Sequence, residues 1–278
     1  MKSRLTSIGI KLIIPTLFII LWELIATSIG NQIILPKFTT ILSHLLNPLN
    51  NFIKLGSLPK NIAFSLVRVL IGYSIGVLIA VPLGLLMGYK KNFGKMFETF
   101  FSLFKPIPPL AWQPLVLAWF GISSCAKLFG LKFGAVYVIF DNFKLSMFFL
   151  IALGTFFPVL FNTIFGVRNV RNTLIESAKV LGASEKDIFF KVLLPAAAPT
   201  IVNGMRLGLA TAWACLVGAE MLPGSLAGIG YMIIHAYELA RTDIVITGMI
   251  CIGVVGAGMD GIFSILNKKY FSWQSKTK

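Results

Sequence analysis

Charge is what this chain has least of. Of its 278 residues, 10 are Asp or Glu, 25 are Lys or Arg and 2 are His, so charged side chains make up 13%. A soluble domain averages about a quarter, and a soluble fold could not hide an apolar fraction of 56%. The few acids and histidines are scattered, which leaves a membrane-bound enzyme no His, Asp or Glu cluster to work with. Cysteine occurs three times, at Cys125, Cys215 and Cys251, without C-x-x-C spacing, which argues against a disulfide framework or a metal site. His44 and His235 are equally solitary. No G-x-x-x-x-G-K-[ST] stretch exists, since Gly88 to Lys95 has the wrong spacing and is followed by Met96. Gly256, Gly258 and Gly261 satisfy the dinucleotide pattern but sit in an apolar run with no preceding strand. Neither motif supports ATP or dinucleotide handling, and no cofactor is expected.

Long apolar runs dominate what is present, and mean hydropathy is +0.85. Runs of about 20 such residues are what a bilayer core of about 30 Å demands of a spanning helix. The sequence therefore predicts an all-α integral membrane protein forming one transmembrane domain over residues 1–278. About six spans are expected, near 8–30, 62–89, 97–120, 145–166, 196–222 and 244–266. The first is longer than the core of a secretory signal and has no nearby small-x-small cleavage site, so it reads as a retained span. Pro106, Pro108 and Pro109 break the third. Such a break either lines a cavity, where Trp112 and Gln113 would touch a route, or serves packing. The apolar part of residues 124–144 is too short to cross, which marks a re-entrant or surface piece.

The net charge of +15 resides mostly in predicted loops. Basic patches interleaved with exposed aromatics are absent, which points away from nucleic acid. Lys90, Lys91, Lys95, Arg168, Arg171, Lys179, Lys186 and Lys191, with Lys268, Lys269, Lys276 and Lys278, outnumber the cations on the opposite side. That bias places both termini in the cytoplasm. Gly72 with Gly76, Gly84 with Gly88, and Gly204 with Gly208 have the spacing that lets helix backbones approach.

Two arginines fall in or beside spans, where a cation is expensive. Arg68 comes near the start of the second span and is expected to snorkel to the interface. Arg206 lies near mid-membrane. It either faces a translocation route and attracts an anion or is satisfied by neighbouring groups. Glu220 and Asp260 are candidate counter-charges.

Residues 176–195 are the most polar stretch of any length, within a loop over 174–195. Leu174, Ala178, Leu181, Ile188 and Val192 recur at roughly helical spacing, and Gly182 predicts a bend between two short helices. By itself this reads as an interfacial helix. Glu176, Ser177 and Ala178, then Gly182, then Val192-x-Leu194-Pro195 nevertheless resemble the EAA loop of bacterial ABC-importer permeases at every spacing. The likeness extends through KPIPPLAWQPLVLAWFGI (105–122), FLIALGTFFPVLFNTIFGVRNV (149–170), MRLGLATAWACLVGAEML (205–222) and ELARTDIVITGMICIGVVGAGMD (238–260). These are similar to the permease group for nitrate, taurine and alkanesulfonates, from which residues 124–144 depart as an insertion.

The resemblance implies a type I ABC-importer permease fold in the bacterial cytoplasmic membrane, surrounded by lipid and working as a homodimer. It also implies partner ABC ATPase subunits and an extracytoplasmic solute-binding protein. The loop would be a coupling helix with Glu176, Ala178 and Gly182 at its docking core and Ser177, Leu194 and Pro195 completing the motif. Leu181, Ile188 and Phe189 would enter an apolar groove, and Glu176 would sit at the positive end of the helix dipole. The alternative class is an ATP-independent channel or secondary transporter.

Overall fold

The computed structural model describes residues 2–270, with side chains at 13–90 and 92–270. Lys276 and Lys278 of the expected basic tail lie outside the described residues. In chain order the helices are α1 (Lys2–Ile29), α2 (Phe38–Leu46), α3 (Leu58–Tyr89), α4 (Lys91–Phe104) and α5 (Gln113–Phe120). Two short helices, α6 (Cys125–Leu128) and α7 (Ala135–Asp141), precede α8 (Leu145–Arg168). Then come α9 (Asn172–Val180), α10 (Glu185–Asp187), α11 (Leu194–Glu220), α12 (Ile229–Glu238) and α13 (Thr242–Tyr270). The stretches Leu58–Tyr89, Leu145–Arg168, Glu185–Glu220 and Thr242–Tyr270 are long and apolar enough to cross a membrane, and Ile13–Ile29 is a shorter apolar run.

The third expected span, 97–120, is not one helix. Chain direction breaks after α4, a 3₁₀ turn runs from Pro109 to Trp112, and α5 restarts with Pro114 in its first turn. Prolines at 106, 108 and 109 remove three N–H donors, and Pro108, with ψ 134 before the Pro109 ring, is extended, so an α-helix does not continue through them.

Two compact units are formed. One joins the chain up to Phe64 to Ala227–Val254, and the other joins Ser65–Leu226 to the chain from Val255 onward. In the first, Leu58, Met232, Ala236, Ile244 and Cys251 make a buried cluster. Asp243, in the first turn of α13, accepts from Arg241 at 2.8 Å and pairs with His44 at 2.9 Å. The Trp22 indole donates to the Pro36 carbonyl at 2.9 Å, which fixes the return from α1 into α2.

In the second unit α8 is the central rod, with glycines at its close approaches. Gly72, Gly76, Gly84 and Gly88 of α3 lie against Ile151, Thr155, Thr163 and Val167. On the other flank Gly204 and Gly208 of α11 meet Asn162 and Val159. At Gly76 a β-carbon would stand 2.6 Å from Thr155 Cβ and 2.8 Å from the Ala152 carbonyl, and backbone cannot yield as a flexible side chain could. Gly76→Ala is therefore expected to lower the detergent-solubilised melting temperature, by a stability loss of about 1–3 kcal/mol. Gly258, which has open space around it, is the control: Gly258→Ala should be neutral or mildly stabilising. Equal melting temperatures for the two variants would refute the packing argument.

Arg68 does not snorkel. Its side chain is fully buried, and Nη1 donates to Glu220 at 2.6 Å while Nε and Nη2 donate to the Asn142 carbonyl at 3.1 and 2.8 Å. Ser65 Oγ donates to the same carboxylate, at 2.8 and 2.9 Å from its two oxygens. A helix C-terminus is an unfavourable place for a carboxylate. Glu220 is tolerated at the end of α11 because these donors surround it. With its donors satisfied in place, the guanidinium has no need to reach water.

The Asn142 carbonyl comes from the inserted segment. That segment leaves and returns through one antiparallel bridge between Ser124 and Lys144, with Cys125 N–H donating to Phe143 and Leu145 N–H to Ser123. Residues 124–144 are thus a closed loop whose base is bolted to Arg68 of α3, which in turn pairs with Glu220 of α11. Lys144 reaches back to Asp141 at 3.0 Å.

Candidate functional site

The expected coupling loop begins where α8 ends. Arg168 pairs with Glu98 at 2.8 Å, and α9 starts at Asn172. At the C-terminus of α9, Ala183 N–H donates to the Ala178 carbonyl at 3.0 Å and Gly182 N–H to the Lys179 carbonyl at 2.9 Å. This double closure requires left-handed backbone at the residue after the cap, and Gly182 supplies it with φ +80. Nothing lies within 4 Å of the place its β-carbon would occupy. The requirement at Gly182 is one of backbone conformation, not of space.

Ser184 then caps α10. Its hydroxyl accepts from Asp187 N–H at 3.2 Å, and the Asp187 carboxylate is paired to Lys191. From Ile188 to Leu193 the backbone widens into a π-helix, in which Leu194 N–H donates back to the Phe189 carbonyl. The wider turn delivers Pro195 into the first turn of α11, where a missing N–H leaves nothing unpaired.

Tyr89, the last residue of α3, holds the loop from beneath. Its hydroxyl donates to Glu185 at 2.5 Å, and its ring meets Phe189 edge-on at 5.4 Å. Val167, Val170, Leu193, Ala197 and Ile201 form a buried cluster against which Ile175, Phe189 and Leu194 pack. Ile188 is 2% exposed. Ile188 and Phe189 are thus anchors of the loop to its own chain rather than side chains offered to a groove. The turn at Gly182 explains the reversal, because α9 ends at Val180 and a new helix starts at Glu185, so no helical register links Ile188 and Phe189 to Leu181.

What faces outward is a stripe on α9. Val180 and Leu181 are 87% and 86% exposed, and with Thr173, Glu176 and Ser177 they line a shallow concavity. Positions 173, 176, 177, 180 and 181 share one helix face. Val180 was missed from sequence, although its spacing of four from Glu176 was the available signal. Ala178 is half-buried, and its carbonyl closes the turn. Glu176 is the fifth residue of α9, so the macrodipole expected to favour it acts only weakly there.

The three route candidates are placed separately. Trp112 ends the 3₁₀ turn, with its buried indole N–H lacking a hydrogen-bond partner. Gln113 opens α5, and its amide lies close to Gly218 of α11. Arg206 is held bidentately by Asp260, Nε to Oδ1 at 2.5 Å and Nη2 to Oδ2 at 2.6 Å. The pair borders a cavity of about 140 Å³ with Trp213, Met259 and Phe263. Both expected counter-charges are therefore found, Glu220 on Arg68 and Asp260 on Arg206. No group of three or more His, Cys, Asp or Glu residues could hold a metal ion among the described residues.

Residues 80–272 match the family described as the binding-protein-dependent transport system inner membrane component. A Methanocaldococcus jannaschii protein named for an ABC transporter permease is 41% identical over 277 residues, covering 100% of this chain and 96% of the relative. SsuC of Bacillus subtilis, named for aliphatic sulfonates transport, is 32% identical, covering 95% and 87% of the two chains. The taurine transport system permease protein TauC of Escherichia coli is 28% identical, covering 98% and 90%. Among solved structures, a chain of the MetNI methionine ABC transporter in inward facing conformations aligns with a TM-score of 0.57 at 16% identity, covering 77% of this chain and 96% of that one. That last likeness speaks for the fold alone. Four membrane-length apolar helices, a polar loop closed at Gly182 and a family match over most of the chain converge: the protein belongs to the binding-protein-dependent transport system inner membrane component family, as a multi-pass permease subunit of an ABC importer rather than an enzyme.

Proposed function

We propose that residues 1–278 form one transmembrane permease domain that works as a homodimer in a lipid bilayer with both termini cytoplasmic. Its solute is a small oxyanion of the sulfonate, taurine or nitrate type, delivered by an extracytoplasmic binding protein. The loop 174–195 is the coupling element, and Glu176, Ser177, Ala178, Leu181, Gly182, Leu194 and Pro195 are its motif residues. Ile188 and Phe189 transmit its movement into the bundle. Trp112, Gln113 and Arg206 belong to the wall of the route.

One observation carries the coupling reading: two large apolar side chains, Val180 and Leu181, stand almost fully exposed beside Glu176 and Ser177 on a loop otherwise pinned to the chain. Burying a side chain of that size on a partner contributes about 1.5–3 kcal/mol. Leu181→Asp is expected to reduce several-fold the ATPase subunit recovered with the permease, while the permease itself stays folded. Unreduced recovery would refute the docking surface. Orientation is checked with Lys186→Cys in a cysteine-free background. An impermeant maleimide should label it only after the cells are opened, and labelling in intact cells would overturn the scheme.

A further inference from the structure

A second cavity, of about 390 Å³, lies between the proline-broken segment, α8 and α11. Ligand pockets begin at about 300 Å³, so this one suits a small solute. Its depth follows from helix register. Among its lining residues, Leu153, Phe157 and Phe161 straddle the midpoint of Leu145–Arg168, and Leu207 is the midpoint of Leu194–Glu220. At 1.5 Å per residue every one of them lies within about 7 Å of its helix centre.

The same place is where α8 is opened. Pro158 has no N–H for the Gly154 carbonyl, and Thr211 Oγ1 of α11 donates to that carbonyl instead, at 2.7 Å. Backbone freed at membrane depth and patched by a neighbouring hydroxyl is characteristic of helices that border a cavity.

Lys105 lies on the cavity wall, with Nζ 4.8 Å from the centroid of the Phe161 ring. Among the described residues no carboxylate stands within ion-pair distance of it. Glu220 is committed to Arg68, and Asp260 to Arg206. Lys105 is exposed on this wall, and a bound anion would supply the counter-ion that it lacks there. Arg206, the cation singled out by sequence, is already neutralised.

We propose that Lys105 is the anion-binding residue of the solute site. Its ammonium holds the charged head of a short-chain organic sulfonate, and Leu153, Phe157 and Leu207 take the tail. Asn162 spends one amide N–H on the Pro158 carbonyl at 2.8 Å, which leaves the other for a solute oxygen. The mostly apolar wall favours an organic anion over nitrate. This assignment rests on the permease reading above and names the residue that reading lacks.

The test uses the permease with its ATPase and binding protein in proteoliposomes. Uptake of labelled ethanesulfonate, taurine and nitrate is followed beside ATP hydrolysis stimulated by the loaded binding protein. Lys105→Gln is expected to lower ethanesulfonate uptake by about tenfold or more while stimulated hydrolysis stays within about twofold, and Lys105→Arg should retain most uptake. Leu153→Trp, which fills the cavity and leaves the lysine, should depress ethanesulfonate more than nitrate. Wild-type uptake by Lys105→Gln overturns the site and leaves the permease reading intact. Hydrolysis that falls in step with uptake, and is not recovered in Lys105→Arg, assigns the lysine a structural role and also overturns it. A wild-type complex that hydrolyses ATP but takes up none of the three anions overturns the solute reading itself, and the site with it.

Discussion

Arg68→Met is expected to destabilise the folded permease by about 3–5 kcal/mol, the cost of leaving one member of a buried pair without its partner. The substitution takes the guanidinium charge away from the Glu220 carboxylate, which is 0% exposed and keeps the Ser65 hydroxyl as a donor. It also strips the Asn142 carbonyl of both guanidinium donors, so the base of the inserted loop loses its bolt. Two consequences should appear together: a much lower melting temperature in detergent and faster proteolysis within residues 124–144. Glu220→Leu alone should be similarly damaging, since it removes the carboxylate that pairs with the buried guanidinium. The double variant Arg68→Met with Glu220→Leu should recover a large part of the loss, because a paired apolar replacement leaves no uncompensated charge. Fluorescence-detected size-exclusion chromatography after heating reads all three. Single variants as stable as wild type would show that the pair contributes nothing.

Gly182→Val is expected to abolish coupled transport without emptying the membrane of protein. Left-handed backbone costs an ordinary L-residue about 1–2 kcal/mol, and a β-branched one more. With open space around the site, that strain is the whole effect, and the loop relieves it by opening the turn that presents Val180 and Leu181. Uptake should fall by about tenfold or more, the factor to which about 1.4 kcal/mol corresponds. Gly182→Asn should remain within a few-fold of wild type, since asparagine visits the left-handed region readily. A simple need for a small residue would instead rank alanine above asparagine. That ranking, in ATP-driven uptake by the assembled transporter, would defeat the conformational argument.

These two positions differ in how legible they were. Gly182 could be read from sequence because its requirement is local: a glycine midway through a helix-prone stretch marks a bend between two short helices. Pro195 was legible for the same reason. Arg68 was not. Its carboxylate lies 152 residues away and its other acceptor is a main-chain carbonyl, which no side-chain pattern reports. Snorkelling was the reasonable expectation for a cation near a span end, and only the arrival of α11 and the inserted loop at the same level changes it. Ile188 was misplaced for a different reason. Periodicity arguments assume one continuous helix, and the chain turns at Gly182 between α9 and α10. Lys105 was in view, inside KPIPPLAWQPLV, but a single sequence does not show which lysines lack a counter-ion.

The glycine contacts along both flanks of α8 bear on how far a push can travel. Where main chain rests directly on main chain, as at Gly76 against Ala152 and Gly204 against Pro158, no layer of long side chains remains to change rotamer and soak up a displacement. Interiors packed this way are stiff and transmit strain. Under the coupling role proposed above, a shove delivered through Phe189 and Leu194 would pass to Pro158 and the neighbourhood of Lys105 with little loss, the three rods acting as one lever rather than as a cushion.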